Sequence, residues 1–396
     1  MASNASTNAS RVPVIIAALR TPIGRVNGTL RDVEPSRLAA PLMARILEEV
    51  GIPASDIDDV ILGNAANSAG NLARLAALEA GLPVSTPGVT VDRQCGSGLE
   101  AITLAARMIQ AGAGRFYLAG GTESASRAHI RLRPPLERGG ELTPVKRARM
   151  APDEIGDPEM GVAAENVAAA CGISRERQDA FALESHRRAV DAELSGRFAR
   201  EIVAIETAAG PVLRDECPRP NASSETLARL KPVFVEGGTV TAGNACPIND
   251  GAAVVLVTSL AEAERLRTPF ALEFIDAATA GVHPDLLGLG PVPALQKLMV
   301  RQPTLDPAKV DLIEFNEAFA SQVLGSLDQL EIPAAKVNLD GGAIALGHPY
   351  GASGAILTVR LFSQMRSAPS GTEGLAMMGV GGGMGVVTLF RGRQLA

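Results

Sequence analysis

Cys95 lies in Gln94-Cys95-Gly96-Ser97-Gly98, between the apolar run Val89-Thr90-Val91 and the helical pattern Leu99 to Ala111. A thiol where a strand gives way to a helix meets the positive end of the helix macrodipole. That lowers its pKa from about 8.5 and favours the nucleophilic thiolate. The flanking glycines let a substrate approach and leave N–H groups free to hold an oxyanion. A buried structural cysteine at a tight turn is the competing reading. His348 lies in the glycine-rich stretch Gly341 to Gly354, which places an imidazole at a second strand-to-helix turn. A cysteine and a histidine at equivalent turns are what an activated thiol nucleophile needs, although a core histidine with satisfied partners is common. Asn316, in Asn316-Glu317-Ala318-Phe319-Ala320, ends an apolar run and can fix a water or an oxyanion. His129, His186 and His283 have no such setting, and no metal-ligand spacing occurs.

The elements that must position these groups alternate between buried-strand runs and helical patterns, which predicts an α/β fold. Leu38 to Val50 reads as a helix closed by Gly51, Ile57 to Leu62 as a strand, and Phe116 to Ala119 as a strand stopped by Gly120-Gly121. The last third repeats this order. Val310 to Asn316 echoes Ile57 to Asn64, and Asn316 follows Asn64 by the same 252 residues that separate Gly347 from Cys95. Two similar halves, each a mixed sheet with helices, are the simplest reading. The predicted divisions are a tail over 1–10, a first half over 11–123 with about 250–268, an inserted loop domain over 124–249, and a second half over 269–396. Within the insert, Ala128 to Met150 carries Arg131, Arg133, Arg138, Lys146, Arg147 and Arg149 without period, and reads as a long excursion. Ser174 to Ser195 reads as a helix with a solvated, charged face.

Composition narrows the function classes. Net charge is −6 with a sequence pI near 5.5, which argues against a nucleic-acid partner, and two Tyr with no Trp leave no base-stacking platform. No apolar run approaches the 18–20 residues or so that span a bilayer. Four cysteines with no CxxC spacing predict reduced thiols and a cytoplasmic setting. The polar N-terminus lacks signal-peptide order, although the absence of acidic residues before Asp32 leaves organelle targeting open.

Several long motifs together resemble the thiolase family. They are Val91 to Ile102 around Cys95, Asn316 to Ala320, Gly341 to Gly354, and Thr241 to Asn244 with Ile248 to Gly251. Arg20 to Gly24, Gly120 to Ser124 and Leu287 to Pro293 fit in order as well. The resemblance implies a duplicated five-layer α-β-α-β-α core with an inserted loop domain, acting as a homodimer or homotetramer on acyl-CoA and CoA, with no tightly bound cofactor. Cys95 would take up the acyl group, and His348 would activate it. A water held by Asn316 would join His348 in stabilising the thioester enolate, and the N–H groups of Cys95 and Gly381 would hold the oxyanion. Arg219 and Thr226 fall at positions that contact the nucleotide end of coenzyme A. Met160, with Gly161, matches the pantetheine-side motif, and Glu159 stands where biosynthetic members often have His.

One departure bears on mechanism. The family carries a second cysteine, a general acid/base, at the position of Gly379 in Gly379-Val380-Gly381-Gly382-Gly383. Loss of a positioned acid/base costs typically about 10²–10⁴-fold. Cys246, in Asn244-Ala245-Cys246-Pro247, either carries that proton instead or simply replaces the family's usual Ser as a contact to pantetheine. The expected activity is therefore thiolase-type acyl transfer in condensation or thiolysis. The alternatives are altered acyl chemistry (hydrolysis, or transfer to another nucleophile) and a non-catalytic CoA-binding scaffold.

Overall fold

The computed structural model describes residues 9–67, 70–145 and 147–395, so Lys146 and all but the last two residues of the expected tail lie outside the described residues. Among the described residues, ten strands form one sheet. In chain order these are β1 (Pro13–Arg20), β2 (Gly24–Arg25), β3 (Asp59–Gly63), β4 (Gly88–Val91), β5 (Phe116–Ser124), β6 (Asn249–Ser259), β7 (Phe270–Gly281), β8 (Leu312–Phe315), β9 (Glu373–Val380) and β10 (Met384–Gln394). Their order is β8-β9-β10-β7-β1-β6-β5-β3-β4, with β2 beside β6. In each half a parallel group is flanked by antiparallel strands: β4, β3 and β5, then β6 and β1; β8 and β9, then β10 and β7. Val337 pairs in parallel with Ile313 and repeats the place of β4.

Within the sheet the halves pair through Val14↔Glu273 and Ile15↔Leu272, and two central helices pack against strands of both halves. These are α3 (Ser97–Ala111) and α8 (Tyr350–Met365). Helices α1 (Pro35–Val50) and α2 (Leu72–Glu79) cover the outer face of the first half, and α6 (Pro291–Arg301) and α7 (Ala320–Gln329) that of the second. Apolar side chains fill each gap, with Ile102, Val255, Ile356 and Phe390 around the central pair, Leu38, Leu42 and Val254 under α1, and Leu295, Leu298 and Leu389 under α6. The layers run α-β-α-β-α. Because β6 is buried on both faces, it reads as the unbroken run Ala252 to Val257 rather than as an alternation.

Glycines set how closely α3 and α8 meet. A Cβ on Gly98 would stand 2.6 Å from the Gly351 carbonyl oxygen, and one on Gly354 would stand 2.6 Å from the Leu99 nitrogen. Only glycine allows backbones this close. The contact brings the turns that precede the two helices, and with them Cys95 and His348, to one end of the central layer.

Two expectations change. The strand from Phe116 does not stop at Gly120-Gly121 but continues, fully buried, to Ser124. Those glycines mark close approach rather than an end: a Cβ on Gly121 would meet the Gly351 oxygen at 2.0 Å. The helix expected as a solvated face, α5 (Arg175–Leu194, following α4, Met160–Cys171), buries Gln178, Ala182, Ser185, Ala189 and Ala192 along one side. That stripe has helical spacing, but its small and polar residues conceal it from a hydropathy reading.

Candidate active site

A short turn fixes Cys95 in front of α3. Gln94 takes a positive φ of 47°, unusual for a side-chain-bearing residue and held here by its neighbours. Its N–H donates to Asp92 Oδ1 at 2.7 Å, while Ser97 Oγ donates to the Gln94 carbonyl at 2.5 Å and accepts from the Arg93 N–H at 2.8 Å. The half-buried Cys95 sulfur accepts from the Gly381 N–H and from its own. Burial first, and then the carboxylates of Glu123 and Asp92, outweigh those donors and push the thiol up to about 12. This overturns the expectation of a thiol lowered by its place at the head of a helix, because loss of water costs the thiolate more than the N–H groups return. The resting group is a thiol, and it needs a base.

His348 stands at the matching turn before α8. Its N–H donates to Asn249 Oδ1 at 2.8 Å, its Nδ1 lies 2.6 Å from Ser353 Oγ one turn into α8, and its ring meets Tyr350 edge-on at 5.4 Å. Burial pulls its pKa down to about 4, so the imidazole is neutral at pH 7. With a proton on Nδ1 directed at Ser353, Nε2 keeps its lone pair, and Nε2 has no partner among the described residues. Asn316 follows β8, where its N–H donates to the Met377 carbonyl at 2.9 Å, and its Nδ2 is buried and equally unpartnered.

Strand β9 carries Gly379 to this end and stops at Val380, one residue before Gly381. Met150 covers it from the loop domain: a Cβ on Gly381 would meet the Met150 sulfur at 2.8 Å. At Gly379 the vacated side-chain position is not empty. A Cβ there would stand 2.0 Å from Gln322 Nε2, so the Gln322 carboxamide, reaching from α7, occupies it. Both polar atoms of that amide are buried without partners among the described residues. The sequence reading missed Gln322; its only signal was a polar residue on an otherwise apolar helix face.

Cys246 sits in the segment that ties these turns together. Its N–H donates to the Ala318 carbonyl at 3.0 Å, Ala245 bridges Phe319, and Ile248 bridges His348. Burial, and then the Cys95 sulfur, raise the Cys246 thiol well above its ordinary value. Met160, at the start of α4, packs with Ala164, Val240, Phe319 and Ala245. The resemblance-derived positions Arg219 and Thr226 line a cleft of about 460 Å³ together with His186, Leu227 and Leu230. Thr226 also closes a capping box with Ser223. His186, which the sequence gave no setting, accepts from the Arg219 N–H at 3.2 Å and is held by burial near pKa 4. A larger cleft, about 1210 Å³ between Arg197, Arg360 and Arg366, includes none of the candidate residues. Among the described residues no group of side chains has the makings of a metal site, and no helix is long and apolar enough to cross a membrane.

Comparison with known proteins agrees along the whole chain. The thiolase N-terminal domain model matches residues 13–261 and the thiolase C-terminal domain model residues 267–392. The VraB protein of Staphylococcus epidermidis is 45% identical over 380 residues, 96% of this chain and 98% of its own. The YhfS protein of Bacillus subtilis is 45% identical over 382 residues, 95% of this chain and 98% of its own. Both are named "Putative acetyl-CoA C-acetyltransferase". A crystal structure of the Bacillus anthracis acetyl-CoA acetyltransferase superimposes with a TM-score of 0.88 at 37% identity, covering 97% of this chain and all of that one.

Proposed function

The chain belongs to the thiolase family, and on that premise we propose that it is an acyl-CoA C-acyltransferase that carries its acyl group on Cys95. The observation that supports this most is a thiol on a fixed turn before α3, facing the Gly381 N–H, with a neutral imidazole at the matching turn before α8 whose Nε2 has no partner among the described residues. His348 Nε2 takes the Cys95 proton as the sulfur attacks the substrate carbonyl. The N–H groups of Cys95 and Gly381 receive the oxyanion, and Asn316 Nδ2 supports the enolate oxygen through a water. The cleft beside Arg219, His186 and Thr226 is the place for the nucleotide end of coenzyme A, with Met160 along the pantetheine. The reaction is thiolysis of a 3-ketoacyl-CoA or the reverse condensation.

The proposed assembly is a homodimer or a homotetramer. Strand β4 ends the sheet with Val89 41% exposed, and the excursion after β5 presents Ile130 and Leu136 to solvent. The four unpaired cysteines fit a reducing, cytoplasmic setting. Altered acyl chemistry is the second reading, favoured by the Gln322 amide at Gly379, since neither group can move a proton.

Intact-mass analysis after acetoacetyl-CoA addition, with Cys95→Ala as control, tests the main reading. An acetyl adduct on the native chain alone, with acetyl-CoA formed when CoA is added, is expected. Release of free acid without acetyl-CoA would favour the second reading, and no adduct would overturn both.

A further inference from the structure

The reading above leaves one proton without a carrier. Cleavage of the C2–C3 bond leaves an acetyl-CoA enolate whose α-carbon must gain a proton, and condensation must remove one from the same atom. Gly379 has no side chain, and the Gln322 amide in its place does not titrate. Two carboxylates nearby are occupied, and burial holds the Tyr350 phenol above its ordinary pKa. The Glu123 carboxylate accepts from the N–H groups of Ala65, Ala66 and Gly351 and from Asn64 Nδ2. Glu317 accepts from Ser185, Asn338 and the Ile344 N–H. His348 holds the Cys95 proton during the same step.

Cys246 remains. The segment from Ala245 to Ile248 is bridged at one end to the turn after Asn316 and at the other to His348. It therefore lies between the turn of Asn316 and His348, whose Nδ2 and Nε2 are both buried and unpartnered among the described residues. Cys217 and Cys246 are both half-buried, and the Cys217 sulfur accepts from Asn249 Nδ2 at 3.2 Å, whereas among the described residues no other side chain donates to the Cys246 sulfur. We propose that Cys246 is the second acid/base of this site, doing from the 245–248 segment what position 379 cannot.

This rests on the acyltransferase reading and deepens it. In cleavage, Cys95 thiolate bonds to C3, the C2–C3 bond breaks, and the Cys246 thiol gives its proton to C2, releasing acetyl-CoA. Incoming CoA then gives its thiol proton to the Cys246 thiolate and attacks the Cys95 thioester. Acyl-CoA leaves, and the Cys95 sulfur recovers its proton from His348. Condensation is the reverse. A buried thiol held above its ordinary pKa is protonated at neutral pH, which is the form that cleavage needs first.

The test measures three quantities on the full chain: acetyl adduct on Cys95, thiolysis of acetoacetyl-CoA, and deuterium uptake into the methyl group of acetyl-CoA in D₂O. For Cys246→Ser and Cys246→Ala we expect the adduct still to accumulate on Cys95 but more slowly than in the native chain, with thiolysis and deuterium uptake both down about 10²-fold or more. A pantetheine contact alone would raise KM and leave uptake at saturation unchanged, which would overturn the proposal. So would loss of uptake in Tyr350→Phe with retention in Cys246→Ser, which would assign the proton to the phenol. Failure of the native chain to form the adduct would overturn the acyltransferase reading itself, and is distinguishable because it needs no variant.

Discussion

A Gly379→Cys change places its Cβ 2.0 Å from Gln322 Nε2, where about 3.5 Å is a comfortable contact. The amide must therefore retreat by roughly 1.5 Å. Its stem has little room, because Gly288 lies so close that a Cβ there would stand 2.6 Å from Gln322 Cγ. Overpacking of this kind costs about 1–3 kcal/mol. The amide gives up no hydrogen bond in moving, since neither polar atom has one, so the expected cost lies near the low end, about 1–2 kcal/mol. Gln322→Ala alone loses packing but also removes two orphaned polar atoms, which cost about 1–3 kcal/mol each, and should be close to neutral. The pair in one chain should then be more stable than the sum of the single changes by about 1–2 kcal/mol, well beyond the additivity of distant sites. Calorimetric unfolding of the native chain, both single variants and the double variant measures this coupling. Thiolysis should follow it, with Gly379→Cys/Gln322→Ala gaining more than Gly379→Cys alone. Additivity within about 0.5 kcal/mol would refute the reasoning, because it would mean that Gln322 does not fill the vacated place.

Other outcomes follow from the same geometry. Ser353→Ala removes the 2.6 Å partner of His348 Nδ1 and frees both tautomer and ring; the rate of Cys95 acylation should fall about 10–100-fold, as stopped-flow release of CoA from acetyl-CoA would show. His186 and His348 are both held near pKa 4 by burial, against about 6.5 unfolded. Between those values the unfolded chain binds more protons, so stability, complete above pH 6.5, falls as pH drops towards 4. The unfolding midpoint should therefore decline from pH 7 to pH 5, and less steeply in His186→Gln. Glu314 behaves in the opposite sense, because burial lifts it to about 8 and the folded chain keeps a proton that the unfolded chain loses. Stability is lost as pH rises through that window, and Glu314→Gln should gain midpoint relative to the native chain at pH 8 but not at pH 5.

What the sequence disclosed and what it concealed divide along physical lines. The 252-residue echo was legible because both halves bury the same kind of strand on both faces, leaving unbroken apolar runs such as Ala252 to Val257. Cys95 and His348 were legible because each interrupts such a pattern beside glycines. The role of Gly98 and Gly354 in bringing the two turns together was not, since spacing along a chain does not reveal which backbones touch. The packed side of α5 was missed because alanine and serine bury as readily as leucine while scoring lower in hydropathy. The Cys95 thiol was placed on the wrong side of its ordinary pKa because a sequence shows the helix that follows but not the water excluded or the two carboxylates nearby.

That last difference decides how the site must work. A thiol lowered by its surroundings would stand as thiolate and react with any electrophile that entered. This one is held up by burial, and the base proposed for it is a neutral imidazole held down by burial. Proton transfer from Cys95 to His348 in the empty site therefore creates two buried charges at a cost that neither partner offsets. A substrate carbonyl changes the balance, because the negative charge leaves sulfur for an oxygen placed before the N–H groups of Cys95 and Gly381. Asn316 Nδ2, unpartnered among the described residues, is proposed to gain its partner separately, through a water on the enolate oxygen. Substrate and activation are thus coupled: iodoacetamide should react slowly with the resting Cys95, while acetyl-CoA acylates it quickly. Equal reactivity towards both would show that the thiolate exists before the substrate arrives.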